Sequence, residues 1–334
     1  MELKIKKWPI IICASVFVVL TVLASIFDLQ LSKWVVQLNE SRYFSDNFFG
    51  VFFEVIGSFP VYFAFAFAIM AIGFNILKLL GKKSAVLFAF ILFIGFIALY
   101  LGVADCGKDY ADHSKFYKEI DLAYEFLINF SGALIFTGVI VSILLLVSDD
   151  TLKRLLLFAI VIIVACGFAQ VTVAVLKSFA GRARYRAIWF LNDETLYTPW
   201  YEFSGSRVSD SIYLEALGVQ EDAFRSFPSG HTASAGAVYV LLALPHIFKK
   251  TNTKKWKIIL AKIILTVATV LFTGVVAVAR ILVGAHFFSD VLFGGTIAYV
   301  SVYGAMWLIK FLINYFDIKI LAYDEPLPLN NKLT

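Results

Sequence analysis

Three long stretches of this chain contain no charged residue, and they limit the possible fold more than any other feature. They cover residues 86–104, 127–148 and 155–176, and none includes an Asp, Glu, Lys or Arg. A helix needs about 20 mostly apolar residues to cross the hydrocarbon core of a bilayer. Because a chain in lipid must satisfy its own backbone hydrogen bonds, these stretches predict transmembrane helices.

The composition extends this interpretation to the whole chain. Hydrophobic residues make up 60% of the 334 residues and charged residues only 16%, whereas soluble domains contain about 25% charged residues. The predicted fold is therefore all-α, a polytopic membrane helix bundle. We predict about eight transmembrane helices, at 9–27, 56–77, 85–104, 127–148, 155–176, 232–248, 258–279 and 288–312.

The basic residues between these segments predict the orientation of the bundle. With an even number of spans, five basic clusters fall on one side of the membrane, and the positive-inside rule makes that side cytoplasmic. Both termini are then cytoplasmic, and we expect a bacterial cytoplasmic (inner) membrane with its outer loops in the periplasm. The clusters are Lys4 to Lys7, Lys78 to Lys83, Lys153 with Arg154, Lys249 to Lys257, and Lys310 with Lys319. The predicted outward loops are 28–54, 105–126, 177–231 and 280–287.

Two N-terminal segments allow a second interpretation. Residues 1–24 resemble a cleaved signal peptide, but their apolar run is long for one, which favours a retained anchor. The loop 28–54 mixes aromatic and polar residues, so an interfacial helix is an alternative there.

Residues suited to binding an anion gather at the outward ends of the later spans. Basic residues at this end favour anion binding over simple contact with head groups, because the positive-inside bias depletes them there. The residues are Lys177, Arg182 and Arg184 after the fifth span, Ser229, Gly230 and His231 before the sixth, and Arg280, His286 and Asp290 between the seventh and eighth.

The spacing of these residues suggests roles for some of them. His286 and Asp290 are four residues apart, which puts both on one face of a helix, where the carboxylate can orient the imidazole. Taken alone, such a pair equally suits a structural link between helices. Ser229 and Gly230 begin a helix, whose first N–H groups attract anions, although a turn that only caps the helix has the same pattern.

Together these residues predict phosphate chemistry. Phosphoryl transfer needs positive charge around the phosphate oxygens, an in-line nucleophile and a proton for the leaving oxygen. The sequence offers no cluster of carboxylates and no Cys/His set for a metal, so we expect no metal and no cofactor.

The three clusters resemble the signature of the type 2 phosphatidic acid phosphatase superfamily, which includes lipid phosphate phosphatases and vanadium haloperoxidase-like proteins. That signature reads Lys-x6-Arg-Pro, Pro-Ser-Gly-His and Ser-Arg-x5-His-x3-Asp, and its membrane branch fits this chain. The likeness covers roughly residues 155–312 and leaves the first 150 unexplained. In this sequence Tyr185 replaces the usual Pro and Ala279 the usual Ser.

The resemblance implies a role for each matching residue. His286 would attack phosphorus to form a phosphohistidine, Asp290 would orient it, and His231 would protonate the leaving oxygen and then activate water. The phosphate oxygens would be held by Lys177, Arg184, Arg280, Ser229 and Gly230, with Arg182 as a possible additional contact.

We therefore expect a metal-independent phosphatase with an outward-facing active site, acting on a lipid phosphate or lipid pyrophosphate. The alternatives are a lipid phosphotransferase and, less favoured, an anion or lipid transporter, since polar residues lie at the span ends rather than at the midplane. We expect a membrane and a lipid substrate as partners, and no nucleic acid. The expected organisation is N-terminal spans at 1–150, a catalytic helical core at 151–320 and a cytoplasmic tail at 321–334.

Three further polar residues carry weaker signals. Glu54 lies among apolar residues near the outer end of the second span, where it either lines a substrate entrance or, as we favour, pairs with a cation. His113 and His246 have no partner pattern, and we expect surface or helix-end positions for them.

Overall fold

The computed structural model describes residues 7–37, 47–111, 120–205, 211–248 and 254–315. His113, the tail at 321–334 and the lysines at positions 4, 6, 249, 250 and 319 lie outside the described residues.

Every regular element in these ranges is helical, which confirms the predicted all-α fold. The α-helices are α1 (Lys7–Gln37), α2 (Phe48–Gly57), α3 (Phe59–Leu80), α4 (Ala85–Ala111), α5 (Leu122–Leu146), α6 (Asp149–Ala180), α7 (Tyr185–Leu191), α8 (Ser211–Leu217), α9 (Gly230–Ala235), α10 (Leu244–Ile247), α11 (Lys255–Leu282) and α12 (Phe288–Tyr315). Short 3-10 segments lie at Gly81–Ser84, Glu194–Leu196, Glu221–Phe224 and Gly236–Ala243.

Six helical stretches of the described chain are long and apolar enough to cross a membrane. One of them, Phe48–Ala111, spans 64 residues and contains α2, α3 and α4, so it accounts for two of the predicted spans. The predicted span 232–248 is built from α9, a 3-10 segment and α10 rather than from one regular helix. The arrangement is compatible with eight spans and indicates an integral membrane protein.

The first helix is longer than the sequence predicts. The first predicted span ends at residue 27, directly before Asp28. The helix continues to Gln37, since the Asp28 side chain is buried against the rest of the bundle rather than exposed. A second, separate helix, α2, begins after Asn47, whose side chain accepts a hydrogen bond from the Gly50 N–H.

Small residues lie where the helices of the bundle contact each other. They allow close approach, which matters because the hydrophobic effect does not drive helix association within lipid. On α3, Ala66, Ala68 and Ala71 are completely buried between neighbouring helices. A Cβ added to Gly95 on α4 would lie 2.8 Å from the side chain of Met70 on α3. The two helices are therefore in direct contact at this point.

Polar contacts define two opposite ends of the bundle. At one end, Lys78 near the end of α3 pairs with Asp149 at the start of α6, and Arg154 donates to the Ile247 carbonyl oxygen at 3.0 Å. The other end gathers the last turns of α4, α6 and α11 and the first turn of α12. The predicted site residues all lie at this second end.

A substitution at Gly181 tests the structure of the turn that follows α6. It caps α6 with a φ of 57°, and an added Cβ would lie 1.9 Å from the Ser204 carbonyl oxygen. Because both the left-handed backbone and the clash oppose a side chain, we expect Gly181→Ala to destabilise the protein by at least ~2 kcal/mol. Thermal unfolding in detergent measures this effect. Gly167→Ala is the matched control on the same helix, where a Cβ meets nothing within 4 Å. Equal unfolding temperatures for the two variants would contradict the described turn.

Candidate active site

His286 lies in the short loop that joins α11 to α12. The loop folds back on the end of α11, because the backbone N–H groups of Ala285 and His286 both donate to the Arg280 carbonyl oxygen, at 3.1 and 3.2 Å. Gly284 permits this reversal with a φ of 63°. The side chains of Arg280 and His286 are both buried, so the loop holds a cation and an imidazole together away from solvent.

Asp290 lies one turn further on, in the first turn of α12, and its carboxylate is fully buried. One oxygen, Oδ2, accepts from the Ser226 hydroxyl at 2.5 Å and from the Phe287 N–H at 2.8 Å. His286 Nδ1 lies 3.7 Å from the same oxygen, which is beyond hydrogen-bond distance. Asp290 therefore acts on His286 through its charge in this conformation, rather than through the direct hydrogen bond that its spacing suggested.

Arg182, which we expected as a possible further phosphate contact, instead binds carboxylates behind Asp290. Its Nη1 donates to Asp290 Oδ1 at 2.6 Å and its Nη2 to Asp28 Oδ2 at 2.9 Å. Its Nε donates to the Thr198 carbonyl oxygen at 2.8 Å, and its guanidinium lies 4.3 Å from the centre of the Phe287 ring. These contacts are those of a group that positions Asp290.

Asp28 is a site residue that the sequence reasoning missed. Its Oδ1 accepts from the Ser289 N–H at 2.9 Å, and its Oδ2 also contacts the Ser289 hydroxyl. The available signal was an acidic residue directly after a long apolar run, since buried charges in membrane helices are usually paired. Asp28 thus joins α1 to the first turn of α12 and to Arg182.

The three cations predicted to hold phosphate each have an oxygen partner. Arg184 donates to the Asp222 carboxylate at 2.6 Å and to the carbonyl oxygen of the same residue at 2.9 Å. Lys177 donates to the carbonyl oxygen of Arg225 at 2.8 Å. Arg280 forms a buried ion pair with Glu54, so Glu54 does pair with a cation.

The Ser229–His231 segment connects the other two clusters. The Ser229 N–H donates to the Asp290 carbonyl oxygen at 2.9 Å, which ties the start of α9 to α12. A Cβ added to Gly230 would lie 3.5 Å from Lys177 Cε, so the lysine packs beside this segment. His231 Nε2 lies 2.8 Å from Oδ2 of Asp109, a residue near the end of α4 that the sequence reasoning did not select.

The electrostatic surroundings of His286 suit a nucleophile. Burial is the main cause that lowers the pKa of His286 well below its usual range, and three nearby cations, Arg184, Arg280 and Lys177, lower it further. The carboxylate of Asp290 opposes this shift but does not cancel it. His286 is therefore neutral near pH 7, with a lone pair available for attack.

All nine residues selected from the sequence thus belong to one connected group at one end of the bundle. The structure adds further carboxylates to it: Asp28, Glu54, Asp109 and Asp222. In the part of the chain that the structure describes, no group of three or more His, Cys, Asp or Glu side chains is arranged to hold a metal ion.

Residues 154–313 match the family model described as PAP2 superfamily. This part of the chain belongs to the PAP2 superfamily. Neither a curated protein nor a solved structure matches the chain. The PAP2 region contains all nine selected residues, and membership supports a phosphatase-type activity on a phosphate-containing substrate. Three of the partner carboxylates, Asp28, Glu54 and Asp109, come from the chain before this region.

The Asp28–Arg182 pair gives a test of how the site is held together. Removing one partner of a buried ion pair leaves the other charge without full compensation, which costs roughly 3–5 kcal/mol. We therefore expect Asp28→Ala to lower the thermal unfolding temperature in detergent strongly. The matched control is Glu194→Ala, which removes the exposed ion pair of α1 with Lys33 and should cost less than about 1 kcal/mol. Similar losses for both variants would contradict the role given to Asp28.

Proposed function

We propose that the protein is a phosphatase for lipid phosphates or lipid pyrophosphates, and that it works through a phosphohistidine on His286. The observation that carries the proposal is a buried, neutral imidazole beside three cations, with the Asp290 carboxylate behind it. Since Nδ1 faces Asp290, the nitrogen left to attack phosphorus is Nε2.

The proposed reaction has two steps. In the first, a bond forms between His286 Nε2 and phosphorus while the bond from phosphorus to the leaving oxygen breaks, and this oxygen takes a proton from His231. In the second, water attacks phosphorus, its proton passes to His231, and the phosphorus–nitrogen bond breaks. The products are the dephosphorylated lipid and phosphate, and both histidines return to their starting states.

Three cations are proposed to stabilise the charge on the transferring phosphoryl group. Lys177, Arg184 and Arg280 would exchange their present oxygen partners for phosphate oxygens, and the Ser229–Gly230 segment would complete the binding site. Guanidinium groups can form paired hydrogen bonds to phosphate, so they supply positive charge in a fixed geometry without a metal ion. No cofactor is part of the proposal.

The position of the site supports a lipid substrate. The site residues lie at the ends of long apolar helices, so a lipid head group could reach His286 while its tails stay in hydrocarbon. Phosphatidic acid, phosphatidylglycerophosphate, an isoprenyl pyrophosphate and a lipid A phosphate are the substrates to compare. The distribution of basic residues supports placing this end on the periplasmic face of a bacterial inner membrane, with cytoplasmic termini.

Phosphate release by the purified protein from this panel of lipids, with EDTA present, tests the proposal. We expect the wild-type protein to hydrolyse at least one lipid, and His286→Ala and His231→Ala to lower kcat/KM by at least about 10²-fold, the range lost with an acid–base group. His246→Ala, at the opposite end of the bundle, is the control and should keep wild-type activity.

Three outcomes would count against the proposal. A wild-type rate for His286→Ala would exclude it as the nucleophile. Phosphate transfer that requires an added acceptor lipid would indicate a phosphotransferase using the same intermediate. Movement of a phosphate-containing substrate across proteoliposomes by the His286→Ala variant would indicate a carrier instead.

A further inference from the structure

Asp109 makes a direct contact with a proposed catalytic group, although it lies outside the PAP2 region. It belongs to the last turns of α4, and its Oδ2 lies 2.8 Å from His231 Nε2. Both side chains are mostly buried, with exposed fractions of 17% and 22%. The contact therefore forms in a partly desolvated place, where a charge-assisted hydrogen bond is stronger than in water.

We propose that Asp109 is a positioning residue for His231, so that a helix outside the PAP2 region supplies the carboxylate that orients the proton-transfer histidine. This inference rests on the proposed function, in which His231 protonates the leaving oxygen. The Asp109 carboxylate would accept the Nε2–H of His231, fix the plane of the ring and leave the other ring nitrogen, Nδ1, to face the leaving oxygen.

The two histidines of the site differ in their contact with a carboxylate, and the difference matches their proposed roles. Burial keeps His286 neutral, and its 3.7 Å separation from Asp290 is too long for a hydrogen bond that would favour the imidazolium. His231 is within hydrogen-bond distance of Asp109, and this contact stabilises the imidazolium form. A general acid must hold a proton before the leaving oxygen receives it.

Asp109 acts against the effect of burial and of a neighbouring cation on His231. The pKa of His231 is lowered overall, mainly by burial and then by the nearby Arg280, and the hydrogen bond and charge of Asp109 offset part of this decrease. Glu54 also raises the pKa, but that carboxylate forms an ion pair with Arg280. Without Asp109, the pKa of His231 would be lowered further by Arg280, and its protonated form would be less populated.

A purely structural role for Asp109 would be to tie α4 to the start of α9, and the pH dependence of the reaction separates the two roles. Removing Asp109 should lower the pKa of His231 further. At any given pH, a smaller fraction of His231 would then be protonated in the variant than in the wild type. The alkaline limb of the kcat profile should then move to lower pH. The acid limb, which does not depend on protonated His231, should stay in place.

The test compares Asp109→Asn with the wild-type protein, purified in detergent, on the lipid phosphate that the wild type hydrolyses fastest. We expect kcat above neutral pH to fall about 10- to 100-fold, which is part of the gain that a general acid supplies, with a smaller change in KM. Asp109→Glu should recover part of the loss. Asp105→Asn, one turn earlier on α4, is the matched control and should keep the wild-type profile.

A second substrate separates the loss of a proton donor from a general loss of folded, active protein. The leaving group of p-nitrophenyl phosphate needs no proton, so Asp109→Asn should lose far less activity on it than on the lipid. An equal loss on both substrates at every pH, with no movement of the alkaline limb, would overturn the inference and leave Asp109 as a structural contact. A wild-type protein that hydrolyses none of the lipids would instead overturn the proposed function.

Discussion

The buried guanidinium of Arg182, held between Asp28 and Asp290, is the interaction on which the rest of the site depends. It joins α1, the loop after α6 and the first turn of α12, which are distant in sequence. A charge in this position is tolerated only when its partners are all in place. The two ion pairs of Arg182 therefore favour one arrangement of these three elements. They need not add net stability, because a buried ion pair can be no more stabilising than an apolar contact.

Asp290 connects the Arg182 ion pairs to the proposed reacting groups. Its carboxylate accepts from Ser226 and its carbonyl oxygen from Ser229, so the segment that carries His231 is fixed to the same turn. His286 lies one turn before it, within the range of its charge. The separate polar clusters of the sequence thus meet at one residue that does not itself bind substrate in the proposed reaction.

Three carboxylates of the N-terminal half contact residues of the PAP2 region. Asp28, Glu54 and Asp109 contact Arg182, Arg280 and His231, respectively, and each contact crosses the organisation boundary that we predicted near residue 150. In a bundle of apolar helices, a buried guanidinium needs a nearby anion, as Arg182 and Arg280 have here. The N-terminal helices supply these anions.

The sequence predicted most of the long helices, but it did not predict the residues that hold the proposed reacting groups in place. The uncharged runs at 86–104, 127–148 and 155–176 fall within or nearly within α4, α5 and α6, because hydrophobic length alone determines such helices. The roles of Arg182 and Asp109 could not be predicted, since each depends on a partner about a hundred or more residues away. A single Asp in a loop or at a helix end carries no pattern that identifies its partner.

Chemical trapping of the intermediate tests the central claim most directly. The purified protein would be mixed with a lipid carrying radiolabelled phosphate, stopped rapidly, and examined for phosphate bound to the chain. A phosphohistidine is stable in alkali and is lost in acid, so we expect a label with that behaviour in the wild-type protein, located at His286, and no label in His286→Ala. A label that survives acid, or one that persists in His286→Ala, would contradict the proposed reaction.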